Sequence, residues 1–168
     1  IPKAYIPSDA RRLEAYRRIA TASNLDQLNA VRADLAAAYG EPPATTQRLL
    51  DLAELRSLVG ELQVSTVTIR ERDVIFVTSD PQRLASTMQR TAPGAKPPEG
   101  TVRIVPRTDP AAGAEVYFRP PENYLEPATL LRVLRHRLAP KLPTVVSTPL
   151  VQPSAPTARA SGPGRRPS

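Results

Sequence analysis

Few side chains in this 168-residue sequence are of the types that catalysis or recognition uses. Asp51 and Glu54 are three positions apart, so a helix places them about one turn apart on one face, as a pair of carboxylates for acid/base work requires. The same spacing is also the ordinary polar side of a helix. His136 is the only histidine and lies among arginines, which leaves no metal cluster around it and gives a Ser-His-Asp arrangement a single candidate base. It reads as a surface histidine. Arg103, Tyr117, Phe118 and Arg119 fall in two strand-like segments and have the composition of a stacking platform for single-stranded nucleic acid. Alternation along a strand, however, sends Tyr117 and Phe118 to opposite faces, and one of them into the core. No Gly-rich run ending in Gly-Lys-Ser/Thr is present to cradle phosphates. The absence of cysteine removes thiolate zinc, disulfides and a Cys nucleophile, and agrees with a reducing cytoplasm. The expectation is a chain with no catalytic, cofactor-binding or metal residues of its own.

The formal charge of +7 invites a nucleic-acid reading, but its distribution weakens it. Residues 1–63 carry eight bases and eight acids, residues 64–138 eleven and eight, and residues 139–168 four bases and no acid. The body is therefore a solvated surface of mixed sign, and most of the excess sits in the tail. No segment approaches the ~18 consecutive apolar residues of a membrane span, and the first residues lack the apolar core of a secretory signal. The start at Ile1 is that expected of a piece of a longer protein.

The elements that must position these side chains are legible from periodicity. Ser8 or Asp9 caps a first helix in which Leu13, Tyr16 and Ala20, with Ile19 beside them, recur at one-face spacing. Ser23 or Asn24 opens a second, with Leu28, Val31, Leu35 and Tyr39 in a stripe, stopped by Gly40 and Pro42-Pro43. Past Thr45 the run from Leu49 to Leu62 is apolar on more than one side, as a central helix packed between neighbours requires. The period then shifts to two: Val64–Arg70 and Val74–Val77 form a hairpin about a polar Glu71-Arg72-Asp73 turn. Asp80-Pro81 opens a short helix with Leu84, Ala85 and Met88 inward. Residues 101–105 and 115–119 are two further strands. A last helix after Glu126-Pro127 lines Leu130, Leu131, Leu134 and Leu138 on one face and leaves Arg132, Arg135 and His136 for solvent or a partner. The fold class is α+β: a three-helix N-terminal segment packed with a small, mainly antiparallel four-stranded sheet, a short helix between the strand pairs and a C-terminal helix. Residues 1–138 form this domain. Residues 139–168, rich in Pro, Ser, Thr and Ala, read as a basic, disordered low-complexity tail.

The first helices carry a resemblance. Tyr5-Ile6-Pro7, Arg12-Leu13 and Tyr16-Arg17-Arg18-Ile19-Ala20 resemble the opening of the C-terminal domain of bacterial transcription-repair coupling factors, the TRCF domain. Asp34-Leu35 followed by Tyr39-Gly40 and Pro43 resembles that family's next segment, and Leu49-Leu50-Asp51-Leu52-Ala53-Glu54-Leu55-Arg56 its following helix. The likeness is close over residues 5–63, loose to about Phe118 and absent in the tail. Ala37 and Ala38 stand where the family usually has Asp-Arg, so a charged contact from those positions loses its side chains here.

The resemblance implies a cytoplasmic parent, an ATP-driven DNA translocase that removes stalled RNA polymerase from damaged template and recruits excision repair. ATP and Mg would belong to its motor, of which this chain contains nothing. It also implies a non-enzymatic, autoinhibitory role: the domain docks within the same chain on an N-terminal module resembling UvrB and masks the surface that binds UvrA. RNA polymerase and DNA are then indirect partners, and no membrane is involved. A docking face needs charges fixed on helices. Asp34 holds the acidic position of the matching segment and lies off the Leu28, Val31, Leu35 stripe, so it is the leading interdomain contact, with Arg32, Asp51 and Glu54 behind it. The alternative is a small basic nucleic-acid-binding module using the tail and the Arg103/Arg119 sheet face.

Overall fold

The computed structural model describes residues 1–91, 96–107 and 113–139; the expected tail lies, apart from Ala139, outside the described residues. Three helices come first: α1 (Asp9–Thr21), α2 (Leu25–Tyr39) and α3 (Ala44–Glu61). β1 (Val64–Arg70), β2 (Asp73–Thr78), α4 (Pro81–Gln89), β3 (Thr101–Pro106), β4 (Ala114–Arg119), a 3-10 turn at Glu122–Tyr124 and α5 (Pro127–Leu138) follow. This is the α+β architecture the sequence implies.

The helix starts are set by capping chemistry. Ser8 accepts from the Arg11 N–H, Asn24 from Gln27, Asp80 from Arg83, and Glu126 from both Ala128 and Thr129, so orphan donors of four first turns are satisfied by side chains. Pro81 and Pro127 occupy first-turn positions where their missing N–H costs nothing. The polar turn is one residue shorter than expected, because Asp73 is already in β2, paired with Arg70.

The sheet order, which periodicity does not reveal, is β1-β2-β4-β3 with every neighbouring pair antiparallel. The chain crosses from β2 through α4 to β3, and β4 then inserts between them. Gly100 and Gly113 permit the close approaches at this insertion: each has positive φ, and a Cβ would lie 2.6 Å from the Arg119 carbonyl oxygen at Gly100 and 2.4 Å from that of Thr78 at Gly113.

Two apolar clusters result, and α3 runs through both. Its first half adds Leu50 and Ala53 to Ile6, Ile19, Leu28 and Leu35, whereas its second half adds Leu58 and Val59 to Phe76, Phe118, Leu84 and Leu134. This is the central helix its all-round apolar pattern required. Helices cover one face of the sheet through Val74, Phe76, Val116 and Phe118. The cover stops short of the edge strand: Val67 and Ile69 pair with Phe76 and Val74 on that same face yet are 39% and 61% exposed.

The expected face of α1 needs correction. Ala15, Ile19 and Ala22 are buried, whereas Leu13 and Tyr16 are 52% and 39% exposed and Ala20 is exposed. Small Ala side chains let α1 lie close against the Leu28, Val31 and Leu50 cluster, so close packing outweighed side-chain size in choosing the inward face. Tyr39 also leaves the α2 stripe; it is 37% exposed, with its ring edge-on to Tyr5 at 5.8 Å between centroids.

Candidate docking surface

Asp34 projects from the exposed side of α2, and its carboxylate meets the Arg18 guanidinium of α1 at 2.5 Å. Both side chains are largely in water, at 60% and 41% exposure, so the pair contributes little net stability and exchanges partners at low cost. Between the two helices runs a groove of about 160 Å³, with Ala15, Val31 and Leu35 among its lining and Arg11, Glu14, Arg18 and Asp34 supplying its charges. Ala38 also lines this groove.

The end of α2 is fixed by the Tyr-Ile-Pro segment. The Tyr5 hydroxyl shares its proton between the carbonyls of Gly40, at 2.8 Å, and Leu35, at 3.1 Å, and so ties the segment to the C-terminal end of α2. Burial, reinforced by the Glu41 carboxylate, raises the pKa of that hydroxyl and keeps it a donor. Ile6 is fully buried beside it. Arg12 donates to the Ile6 carbonyl, and Arg56 of α3 to those of Ile19 and Ala22 at the end of α1. Most of the segments that resemble the coupling factors thus hold the three helices in register.

Arg32, Asp51 and Glu54 are brought together, and with a fourth residue that sequence reasoning left to solvent or a partner. Arg135 of α5 reaches Asp51 at 2.8 Å and Glu54 at 2.5 Å, while Arg32 of α2 approaches Glu54 at 3.3 Å and Asp51 at 3.8 Å. All four are less than one-third exposed. Two guanidiniums and two carboxylates balance, and α3 is clamped between α2 and α5. Asp51 and Glu54 do share a face, but guanidiniums already occupy it. Asp34 stands apart from this network.

The uncovered sheet face is likewise engaged internally. Arg119 grips the mostly buried Asp73 with Nε at 2.8 Å and Nη2 at 2.7 Å, and Arg103 lies 3.8 Å from the same carboxylate. These bonds, chiefly the Arg119 pair, hold the Asp73 pKa below the usual carboxylate value against the opposing effect of burial. Arg103 also stacks over the Tyr117 ring at 4.7 Å, and Tyr117 donates to Glu115. Phe118 is fully buried, as alternation required. His136 is exposed, and no group of three or more metal-ligating side chains occurs among the described residues. No helix among them is long and apolar enough to cross a membrane.

A model of the TRCF domain family matches residues 1–88. The transcription-repair-coupling factors of Mycobacterium bovis and Mycobacterium tuberculosis are each 34% identical to the chain over 97 residues, 56% of its length. That stretch is 8% of each relative, so the chain corresponds to a small part of those proteins. A crystal structure of the C-terminal domain of a transcription-repair coupling factor superposes with a TM-score of 0.60, covering 82% of this chain and 84% of that one. Its identity of 15% makes this a likeness of fold. The helical signature, the fold and the family match converge, and the chain belongs to the TRCF domain family.

Proposed function

We propose that this domain is an autoinhibitory clamp in a cytoplasmic, ATP-dependent DNA translocase that couples transcription to nucleotide excision repair. It docks on the UvrB-like N-terminal module of its own chain and masks the surface that UvrA would bind. The observation that carries this reading is Asp34: an exposed carboxylate on a helix whose end is fixed by Tyr5, held among the described residues only by a solvent-exposed, exchangeable pair with Arg18. Such a group meets a basic partner with little ordering cost. Arg32, Asp51 and Glu54 support the clamp from another side of α2, by holding α2 and α5 against α3. The ATP and Mg of the motor bind outside this chain, which has no phosphate-cradling motif.

Release is a population shift: the closed state is favoured by a few kcal/mol, and engagement of RNA polymerase and DNA overcomes that preference. Asp34→Arg in the full-length parent therefore raises basal ATPase activity or UvrA binding; both quantities unchanged would remove Asp34 from the clamp.

The nucleic-acid reading is less well supported. Arg103 and Arg119 are both directed at Asp73, and Arg103 covers the one aromatic ring the open sheet face offers. A salt titration of single- and double-stranded DNA by fluorescence anisotropy separates the readings: the clamp expects little binding by the body, the alternative strongly salt-dependent binding.

A further inference from the structure

The other flank of α1 carries a second surface that the clamp does not use. Tyr16, Ile19 and Ala20 of α1 face Leu49, Leu52, Ala53 and Arg56 of α3 across an open groove of about 370 Å³. Tyr16 and Leu52 are 39% and 54% exposed, and Leu13, one turn before Tyr16, is 52% exposed. A contiguous apolar patch of this kind rimmed by charge marks an interaction surface rather than scattered surface leucines. These three residues lie inside the segments that resemble the coupling factors, yet the domain's own core takes none of them.

The rim specifies the partner. Arg17 is exposed, one turn from both Leu13 and Ala20, and its side chain makes no hydrogen bond or ion pair among the described residues. Arg56 uses Nη2 to close the end of α1 and also lines the groove. Among the described residues, no carboxylate lines the groove. A trough between two helices accepts the ridge of a third. We infer that the α1/α3 groove binds an amphipathic helix of a partner protein, one presenting leucine-type side chains at i, i+3, i+4 and i+7 with Glu or Asp along their margin. The chain's own tail, with basic residues and no acid after position 139, has the wrong charge for this rim. A second copy of the same face would set Arg17 and Arg56 against like charges.

The test uses the 168-residue chain and two labelled helical peptides with one leucine stripe, flanked by Glu in the first and by Lys in the second. The Glu peptide binds and shifts the NMR signals of Tyr16 and Leu52, while the Lys peptide binds about 10-fold more weakly or less. Leu52→Asp and Arg17→Glu each weaken the Glu peptide by about 10-fold or more, whereas Arg132→Glu, on the exposed side of α5, leaves its affinity as it was. Both groove variants are at exposed positions, and unchanged unfolding midpoints show that they remain folded. Equal affinity for the two peptides, no binding of either, or no effect of Leu52→Asp would overturn the assignment. So would self-association in sedimentation that Leu52→Asp abolishes, because the face would then belong to a second copy. The UvrB-like module takes no part in this experiment, so the groove and the clamp stand or fall separately.

Discussion

Arg135 of α5 donates to the Glu54 carboxylate of α3 at 2.5 Å, joining residues 81 positions apart in the chain. With Asp51 and Arg32 this contact locks the C-terminal helix onto the helix shared by both apolar clusters. Removing Arg135 leaves two mostly buried carboxylates to share the single guanidinium of Arg32, which costs more than the contact contributes net. Arg135→Ala is expected to destabilise the domain by about 2 kcal/mol, read from urea unfolding, and a double-mutant cycle with Glu54→Gln should show strong coupling. Additive effects would mean that the network is not a unit.

The phase of α1 is tested by a matched pair. Ile19→Ala should cost about 2–4 kcal/mol, as a buried large-to-small change does, and Leu13→Ala less than about 1 kcal/mol. The reverse order would restore the face that residue size alone indicates.

Asp73 predicts a pH dependence. Its folded pKa lies below the ordinary carboxylate value, so the stability it contributes is complete above that ordinary value and is lost as pH falls through the folded pKa. Asp73→Asn lacks this contribution at every pH. Wild-type unfolding midpoints should therefore fall more steeply than those of the variant as pH drops below about 4. Parallel acid limbs would contradict the bond from Arg119 as the cause.

Gly100→Ala places a Cβ 2.6 Å from the Arg119 carbonyl oxygen in a backbone of φ +100°. The expected loss is about 1–3 kcal/mol, measured by thermal unfolding. A neutral substitution would show that β3 and β4 separate there without penalty.

Much of the fold was legible because local rules agree with it. Caps at Asp80 and Glu126, the Gly40-Pro stop and the change of period at Val64 each mark an element boundary through chemistry confined to a few residues. Strand order was not legible, since the insertion of β4 between β2 and β3 depends on close backbone approaches at Gly100 and Gly113. The α1 face misled for a related reason: Ala15 and Ala22 are buried for their smallness, and a pattern weighted by apolar size passes over them. Asp34 could be placed off the apolar stripe of α2 from spacing alone. Arg135 as the partner of Asp51 and Glu54 had no local signal, because nothing within one helix indicates a contact from another so distant in sequence.

The clamp is tested most directly by binding between this domain and the isolated UvrB-like module of its own parent, with UvrA as competitor. The account predicts that the two associate, that UvrA and the domain exclude each other, and that Asp34→Arg weakens the association by about 10-fold or more. A domain that fails to bind the module, or that binds it together with UvrA and regardless of Asp34, would contradict it.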